Sequence, residues 1–281
     1  MHDAAGIVLA GGRSSRMGSP KAALEWHGST LLRRVTGIVA RAVDGPVIVV
    51  RAPGQPLPEL AAEIEVVDDV IEGRGPLQGL AGGLAAIGDR AAVAYLSGTD
   101  VPLLHPAFVA RVIAALRDDD DVALPEIGGH HQPLAAAYRT SVRGLVQELI
   151  AQDLLKPAFM FDRCRVRRLT EAQLLQDPTL ARWDPALRSV RNLNAPADYR
   201  AARALPAPEI VVERFPAPVS PSAAGRASVR AGTLAAAAGA VGVTLDEHVV
   251  AALNGVSINR DRELPLVAGD TIAFRAADAG G

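Results

Sequence analysis

Four short apolar runs decide which architectures are open to this chain: Gly6-Ile7-Val8-Leu9, Pro46-Val47-Ile48-Val49-Val50, Ile64-Glu65-Val66-Val67 and Ala91-Ala92-Val93-Ala94-Tyr95-Leu96. Runs this short, separated by stretches of helical period, predict a mainly parallel sheet with helices on both faces. Parallel strands need long crossovers, and those crossovers lie over the sheet. In open sheets of this kind ligands collect beyond the carboxyl ends of the strands, so the residues after each run are the ones to read for function.

The first run continues as Leu9-Ala10-Gly11-Gly12-Arg13-Ser14-Ser15-Arg16-Met17-Gly18-Ser19-Pro20-Lys21, followed by Leu24, Leu31, Leu32, Val35, Ile38 and Val39 at helical spacing. That order predicts strand, anion-binding loop, helix. Paired glycines let backbone N–H groups approach phosphates, and Arg13, Ser14, Ser15, Arg16 and Lys21 add donors or charge. The loop reads as a nucleoside triphosphate site. It contains no G-x-x-x-x-G-K-[ST] and no G-x-G-x-x-G, which argues against a P-loop NTPase and an ordinary dinucleotide-binding fold. The plain alternative is a tight turn decorated with Arg. Cation usage speaks against it: Lys21 and Lys156 are the two lysines among twenty-nine basic residues, so a lysine in this loop meets a need for a compact charge.

Leu-Ala-Gly-Gly-x-Ser-Ser-Arg-Met-Gly-x-x-Lys resembles the signature of nucleotidyltransferases that join an NTP to a phosphorylated acceptor and release pyrophosphate. With Gly75-Pro76-Leu77-Gln78-Gly79 it is similar to the molybdenum cofactor guanylyltransferases, the MobA family. The resemblance implies a three-layer, Rossmann-like α/β domain that uses GTP, molybdopterin and Mg²⁺. It implies nucleotide contacts from Leu9, Ala10, Gly11, Gly12, Arg13, Ser14, Ser15 and Lys21, and catalytic roles for Lys21, Arg16 and Asp100. Lys21 and the amides of Gly11 to Arg16 are expected to stabilise charge spreading onto pyrophosphate.

Asp68-Asp69 follows the third run, and a glycine-rich turn then enters a helix. Paired aspartates can simply cap and solubilise a strand end. The resemblance implies that Asp69 contacts the guanine nucleotide together with Gly75, Pro76, Leu77 and Gly79, with Asp68 in its place if the alignment slips by one. The fourth run ends in Ser97-Gly98-Thr99-Asp100-Val101-Pro102. Mg²⁺ takes one or two carboxylates plus phosphate oxygens and water, so a carboxylate at a central strand tip suits it. Asp100 is the expected metal ligand, as the resemblance also implies; an Asp opening a turn before Pro102 is the alternative.

Asp118 to Asp121 reads as a solvated loop without a catalytic role. In Gly128-Gly129-His130-His131-Gln132-Pro133 the two histidines would point to opposite faces of a strand and cannot share one ion. The resemblance carries His131 and Gln132 over as pterin-side contacts. Val142 to Leu155 has helical period. Arg163, Arg165, Arg167 and Arg168 around Cys164 are edge charges or receivers of an acceptor phosphate. Asn192-Leu193-Asn194-Ala195-Pro196-Ala197-Asp198 resembles the family's Asn-x-Asn-x-Pro-x-Asp element, which implies Asn192 and Asn194 as acceptor-side donors; Asp198 reads as a helix N-cap.

Pro206 and Pro208 predict a linker over 205–208 between a domain at 1–204 and a second at 209–281. The second domain is expected to run as strand Ile210–Val212, a Pro/Ser loop from Pro216 to Gly225 and strand Ser228–Gly232. Thr233 then caps an Ala-rich helix ending near Gly242, a hairpin opens at Val249–Gly255, and a last strand follows Gly269-Asp270. Phe215 and Phe274 are its expected aromatic core. The β-β-α-β-β order, with Leu253-Asn254-Gly255 and Gly269-Asp270, resembles the ubiquitin-like (β-grasp) sulfur carriers MoaD and ThiS. That resemblance makes Gly280-Gly281 a carrier tail, adenylated on its carboxylate and converted to a thiocarboxylate. It implies as partners a MoaD- or ThiS-activating enzyme and molybdopterin synthase or molybdenum-insertion proteins.

The lone cysteine, Cys164, permits no internal disulfide, and no Cys/His group has zinc-ligand spacing. A net charge of −2 carries no nucleic-acid footprint. No apolar run of about eighteen residues is without a charge or a breaker. The expectation is a cytoplasmic enzyme with neither nucleic acid nor membrane as partner, transferring GMP from GTP to molybdopterin. A molybdopterin cytidylyltransferase or another small-molecule nucleotidyltransferase is the alternative reaction, and a non-catalytic carrier or scaffold the alternative class.

Overall fold

The computed structural model describes residues 3–11, 20–71, 73–215 and 225–276. The expectations for Gly12, Arg13, Ser14, Ser15 and Arg16, for most of the Pro/Ser loop, and for Gly280 and Gly281 fall outside the described residues. The strands are, in chain order, β1 (Ala4–Leu9), β2 (Glu25–Trp26), β3 (Ser29–Thr30), β4 (Val47–Arg51), β5 (Ile64–Asp68), β6 (Val93–Gly98), β7 (Val122–Ile127), β8 (His130–His131), β9 (Ala135–Arg139), β10 (Val166–Thr170), β11 (Glu209–Phe215), β12 (Gly225–Arg230), β13 (Val249–Leu253), β14 (Val256–Ile258) and β15 (Thr271–Ala276). The helices are α1 (Leu31–Ala40), α2 (Pro76–Ile87), α3 (Pro106–Ala115), α4 (Arg143–Ala151), α5 (Pro157–Phe161), α6 (Glu171–Leu174), α7 (Pro178–Trp183), α8 (Pro196–Arg203) and α9 (Leu234–Ala240). No helix among the described residues is long and apolar enough to cross a membrane.

The chain divides into two units. One comprises the stretch up to Leu24 with Leu31–Pro196; the other joins Glu25–Thr30 to the stretch from Ala197 onward. The division falls ahead of the linker expected at 205–208 and takes most of α8 into the second unit.

In the first unit the sheet order is β10-β7-β9-β6-β1-β4-β5, with β8 beside β7. β6, β1, β4 and β5 run parallel, while β9 is antiparallel to both β6 and β7. The apolar runs form these strands because both their faces are covered: β6 is buried throughout, and only Leu9 of β1 is partly open. Alternation along β1 assigns a helix to each face. A Cβ on Gly83 or Gly79 of α2 would lie 2.6 Å from Ile7 or 2.8 Å from Leu9, and a Cβ on Gly6 would strike Val39 of α1. Glycines therefore let α2 lie directly on the sheet. From β1 the chain builds outward through β4 to β5, then returns to the other side of β1 with β6, which creates the switch point where a ligand crevice opens.

One expectation fails here. The helix does not follow the first loop: Lys21–Ala23 is a single 3₁₀ turn, β2 and β3 form a hairpin, and α1 starts at Leu31. His27 at φ 48° and Gly28 at φ 96° make the tight turn that ends the helical pattern before it begins. Leu24 matched the helical spacing without belonging to the helix. The stretch Val142–Leu155 likewise yields a helix only to Ala151, since Asp153 adopts φ 59°.

In the second unit the order is β12-β11-β15-β13-β14. β11 is parallel to β15 and antiparallel to β12, and β13 is antiparallel to β14 and β15. Thr233 caps α9 by accepting from the Ala236 N–H at 3.3 Å. Ile210, Val212, Leu234, Ile272 and Phe274 lie in the core. Phe215 does not: it is 43% exposed beneath the Arg275 guanidinium, because strand alternation puts it on the face opposite Ile210 and Val212. The Leu253-Asn254-Gly255 turn and Gly269-Asp270 are tied together. Asn254 Nδ2 donates to Asp270 Oδ1 at 3.0 Å, the Thr271 N–H donates to Asn254 Oδ1 at 2.8 Å, and the Val267 N–H satisfies Asp270 Oδ2 at 2.8 Å.

The hairpin Glu25–Thr30 is held within this second unit. Tyr199 Oη donates to the Glu25 carbonyl at 2.7 Å, Arg203 Nε to Glu25 Oε2 at 2.6 Å, and Ser29 Oγ to Glu263 Oε2 at 2.8 Å. Gly232 leaves room for His27, which a Cβ there would meet at 2.6 Å. Asp198 stands in the first turn of α8 rather than at its N-cap.

Candidate nucleotide site

A cleft of about 630 Å³ opens beyond the carboxyl ends of β1, β4, β5 and β6. Leu9, Ala10, Gly11 and Lys21 line it from the first loop, Asp69, Gly75, Pro76 and Gly79 from the second glycine-rich turn, and Gly98, Thr99 and Asp100 from the end of β6. Two loops far apart in sequence thus meet at the switch point of the sheet.

Lys21 Nζ donates to Asp100 Oδ2 at 2.8 Å, each side chain being 22% exposed. The loop bearing Asp100 is fixed from three sides. Thr99 Oγ1 donates to the Leu9 carbonyl at 2.7 Å, the Leu193 N–H to the Asp100 carbonyl at 2.9 Å, and the buried Arg34 Nε to the Pro102 carbonyl at 2.6 Å. A side chain at Gly98 would strike Asp100 Oδ1 at 2.9 Å, so glycine there keeps the second carboxylate oxygen open. Among the described residues no group of three or more His, Cys, Asp or Glu could hold a metal ion. A single carboxylate with one oxygen open fits a Mg²⁺ that draws its remaining ligands from phosphates and water, and does not fit a protein-caged metal.

The amide of Gly11 is used differently from the expectation. The N–H groups of Ala10 and Gly11 both point to the Val50 carbonyl, at 2.8 and 3.3 Å, so Gly11 extends the sheet and offers no amide to a phosphate. Its lack of a side chain serves packing: a Cβ would sit 3.2 Å from the Ala52 backbone nitrogen. Gln55 bridges the same place, donating from Nε2 to the Ala10 carbonyl at 3.1 Å and accepting from the Ala52 N–H at 3.1 Å. The helix N-terminus at the cleft is that of α2, preceded by Gly75 at φ 85° with Pro76 in its first position and no side chain capping it. Its unpaired N–H groups and dipole suit an anion or a carbonyl oxygen.

Asp69 lines the cleft, with its own N–H donated to the Arg51 carbonyl at 2.7 Å. Burial pushes its carboxyl above the usual carboxylate range, against the opposing pull of the Ile71 and Val70 N–H groups and the Gln78 side chain. Asp68 instead pairs with Arg51 at 2.6 Å and does not line the cleft, so of the two aspartates Asp69 is the one in position. Leu77 is buried in the core at 1% exposure and does not line the cleft, because its place in α2 turns it toward the sheet.

His131 and Gln132 do not line the cleft, although Leu134 two residues on does. His131 Nε2 is 3.7 Å from Glu126 Oε2 and packs edge-on to Phe161, while the Gln132 N–H donates to the Pro125 carbonyl at 2.9 Å. Asn192 and Asn194 are exposed on either side of buried Leu193, which ties that segment to Asp100. The arginines in and just before β10 behave as edge charges: Arg165 pairs with Asp121 at 3.4 Å, Arg163 with Glu148 at 3.4 Å and Arg167 with Asp120 at 4.0 Å. Burial pushes the Cys164 thiol up to about 11, with the Asp121 charge adding to it, so it is no nucleophile. Val50, Arg51, Ala52, Gly73, Gly98, Thr99 and Leu134 also line the cleft and were not among the expected site residues. Arg51 carried one signal, a charge closing an otherwise apolar strand.

Residues 6–167 match the model of the MobA-like NTP transferase domain. Over 201 residues the chain is 37% identical to a probable molybdenum cofactor guanylyltransferase of Mycobacterium avium, covering 70% of this chain and 93% of that protein. A probable molybdenum cofactor guanylyltransferase of Bacillus cytotoxicus is 27% identical over 172 residues, covering 60% of this chain and 85% of that one. Among solved structures, molybdopterin-guanine dinucleotide biosynthesis protein A from Archaeoglobus fulgidus has the same fold, with a TM-score of 0.55 and 21% identity over 71% of this chain and 96% of that one.

Proposed function

The chain belongs to the MobA-like NTP transferase family, and from that premise we propose that it transfers GMP from GTP to molybdopterin, giving the guanine dinucleotide form of the cofactor and pyrophosphate. The observation that carries this reading is the Lys21–Asp100 pair, which joins the loops after β1 and β6 inside one cleft.

The terminal phosphate oxygen of molybdopterin attacks the α-phosphorus of GTP in line. The bond from that phosphorus to the bridging oxygen breaks, and pyrophosphate leaves with the electron pair. Nothing covalent is asked of the protein, so its contribution is positioning and charge. Lys21 gives up part of its contact with Asp100 to a phosphate oxygen and stabilises the charge that develops on the leaving group. Asp100 would hold Mg²⁺, whose chemistry there is to neutralise phosphate charge. Arg16 and the amides from Gly12 to Arg16 are assigned to the same phosphates. Asp69 accepts from the N1–H and amino group of guanine, whose O6 suits the open N–H groups of α2. That donor edge, with the Gly11-Gly12 pair and the Gly75–Gly79 turn, favours guanine over cytosine. Asn192 and Asn194, next to the segment anchored on Asp100, and His131 with Gln132 serve the acceptor.

For the second unit the reading is a β-grasp module of the MoaD/ThiS type. The order β12-β11-β15-β13-β14, with β11 and β15 parallel at its centre, supports it. Its Gly280-Gly281 tail would be adenylated and thiocarboxylated by an activating enzyme, with molybdopterin synthase or molybdenum-insertion proteins as further partners. A cytoplasmic setting suits the single cysteine.

The test is incubation with each NTP, Mg²⁺ and molybdopterin, with mass detection of the dinucleotide. A guanine product is expected; a cytosine product would move the chain to the cytidylyl alternative, and no product with any NTP would sink the transferase reading. Incubating the full chain with ATP and a MoaD- or ThiS-activating enzyme should add an adenylate or thiocarboxylate mass at Gly281; an unmodified tail with every such enzyme rejects the carrier role.

A further inference from the structure

A carboxylate is rarely buried without polar partners, and Asp184, 5% exposed where α7 ends, has two of them in the backbone that follows it. Its Oδ1 accepts the Arg188 N–H at 2.7 Å and its Oδ2 the Ser189 N–H at 2.9 Å. Just before these, Leu187 stands at φ 47°, a left-handed conformation that disfavours its side chain and persists only where neighbours fix it. The neighbours here are Asp184, whose carbonyl accepts the Leu187 N–H at 3.0 Å, and the core that buries the Leu187 side chain.

The segment bent in this way is tied at two points to the loop that carries Asp100. The His105 N–H donates to Oγ of the fully buried Ser189 at 3.1 Å, and the Leu193 N–H donates to the Asp100 carbonyl at 2.9 Å. Residues 189 to 193 therefore run back along residues 105 to 100, and Asn192 and Asn194 come out exposed on either side of the second tie. We propose that Asp184 is a positioning residue for the acceptor: by holding the Arg188 and Ser189 amides it sets the tie of Ser189 to His105, and through that tie the place of Asn192 and Asn194 relative to Asp100. This rests on the reading of the two asparagines as donors to molybdopterin. Where catalysis is positioning, a displacement of about 1 Å in a group that holds substrate costs up to about a hundredfold, so a strained turn kept remote from the chemistry has a use. The nucleotide cleft is lined by other segments, so the effect falls on the acceptor and spares GTP.

The experiment is steady-state kinetics of the full chain with GTP and molybdopterin varied in turn, alongside thermal unfolding of each variant. Asp184→Asn keeps the shape but turns an amide N–H group against one of the two backbone donors. It should raise the molybdopterin KM by about tenfold while the GTP KM stays within about twofold, and Asp184→Leu should raise the first further, so that asparagine counts as partial rescue. Asn192→Ala together with Asn194→Ala should also raise the molybdopterin KM, and Asp184→Asn added to that background should raise it little more, because the asparagines are the groups through which Asp184 acts. An unchanged molybdopterin KM without the two asparagines overturns the acceptor reading itself. If their loss raises it while Asp184→Asn leaves it alone, shifts both KM values alike or adds its full effect on top, the role of Asp184 alone is overturned. Should Asp184→Asn fail to fold, Ser189→Ala removes the tie to His105 and must raise the molybdopterin KM selectively; an unmoved value there also refutes the proposal.

Discussion

Lys21 and Asp100 stand seventy-nine positions apart in the chain and 2.8 Å apart at the mouth of the sheet. Each neutralises the other, which places a cation and a carboxylate in one cleft without either being left uncompensated. Asp100→Asn should keep the fold, since the amide has the same shape, and lower kcat/KM by about a hundredfold or more at ordinary Mg²⁺. Turnover of the purified variant, with its melting temperature as a check on folding, decides it. Unchanged turnover would reject the metal assignment.

Lys21→Arg is the second prediction. Arginine is this chain's usual cation, but a planar fork does not fit a site shaped for an ammonium between a carboxylate and phosphates. Activity should fall by about tenfold or more, mostly in kcat. Wild-type kinetics in the variant would reduce Lys21 to a surface charge.

The contact of α2 with the sheet can be tested by a pair of alanines. Gly82→Ala meets nothing nearer than Val50 Cγ1 at 3.6 Å, so the gain in helix propensity should leave the protein as stable as before or slightly more so. Gly83→Ala meets Ile7 Cγ2 at 2.6 Å and Cγ1 at 2.8 Å, and a buried β-branched side chain cannot turn away. It should destabilise by about 1–3 kcal/mol, seen as a lower midpoint in thermal or urea unfolding. Equal midpoints for the two variants would contradict the packing described.

Glu25 gives a prediction with pH. Burial would raise its carboxyl, but the Arg203 guanidinium and the Gly28 N–H outweigh that and hold it below its ordinary value of 4.5. Its stabilising contribution is therefore complete above that ordinary value and disappears as pH falls through the lowered one. Glu25→Gln should melt below wild type at pH 7, and the gap should close as pH falls below that ordinary value. With side chains 53% and 36% exposed, the difference should stay under about 1 kcal/mol. A gap that persists unchanged at acid pH would mean the pair contributes nothing through charge.

The mainly parallel sheet was legible in the sequence, because buried strands leave runs of apolar residues, and Lys21 and Asp100 could be read as candidates because they lie where those runs stop; the strand order could not be read. The resemblance preferred Asp69 to Asp68, but the physical difference appears only in three dimensions, where Asp68 at the end of β5 pairs with Arg51 and Asp69 lines the cleft. Two things were hidden for physical reasons. Leu24 falls on the period of Leu31 and Leu32, so a six-residue hairpin inside that period left no apolar signature, and only His27-Gly28 marked it. Gln78 is polar in a turn whose other members were read for their backbone, and its burial comes from α2 settling on β1, which no local pattern announces.

The hairpin at Glu25–Thr30 also sets an order of events during synthesis. Ser29 leaves the ribosome early, but its partner Glu263 is 234 residues further on. At a translation rate of about 5–20 residues per second that separation is on the order of tens of seconds. Through that interval the first unit can fold while the hairpin waits on the growing chain. The second unit is thus begun before most of the first is made and closed after it.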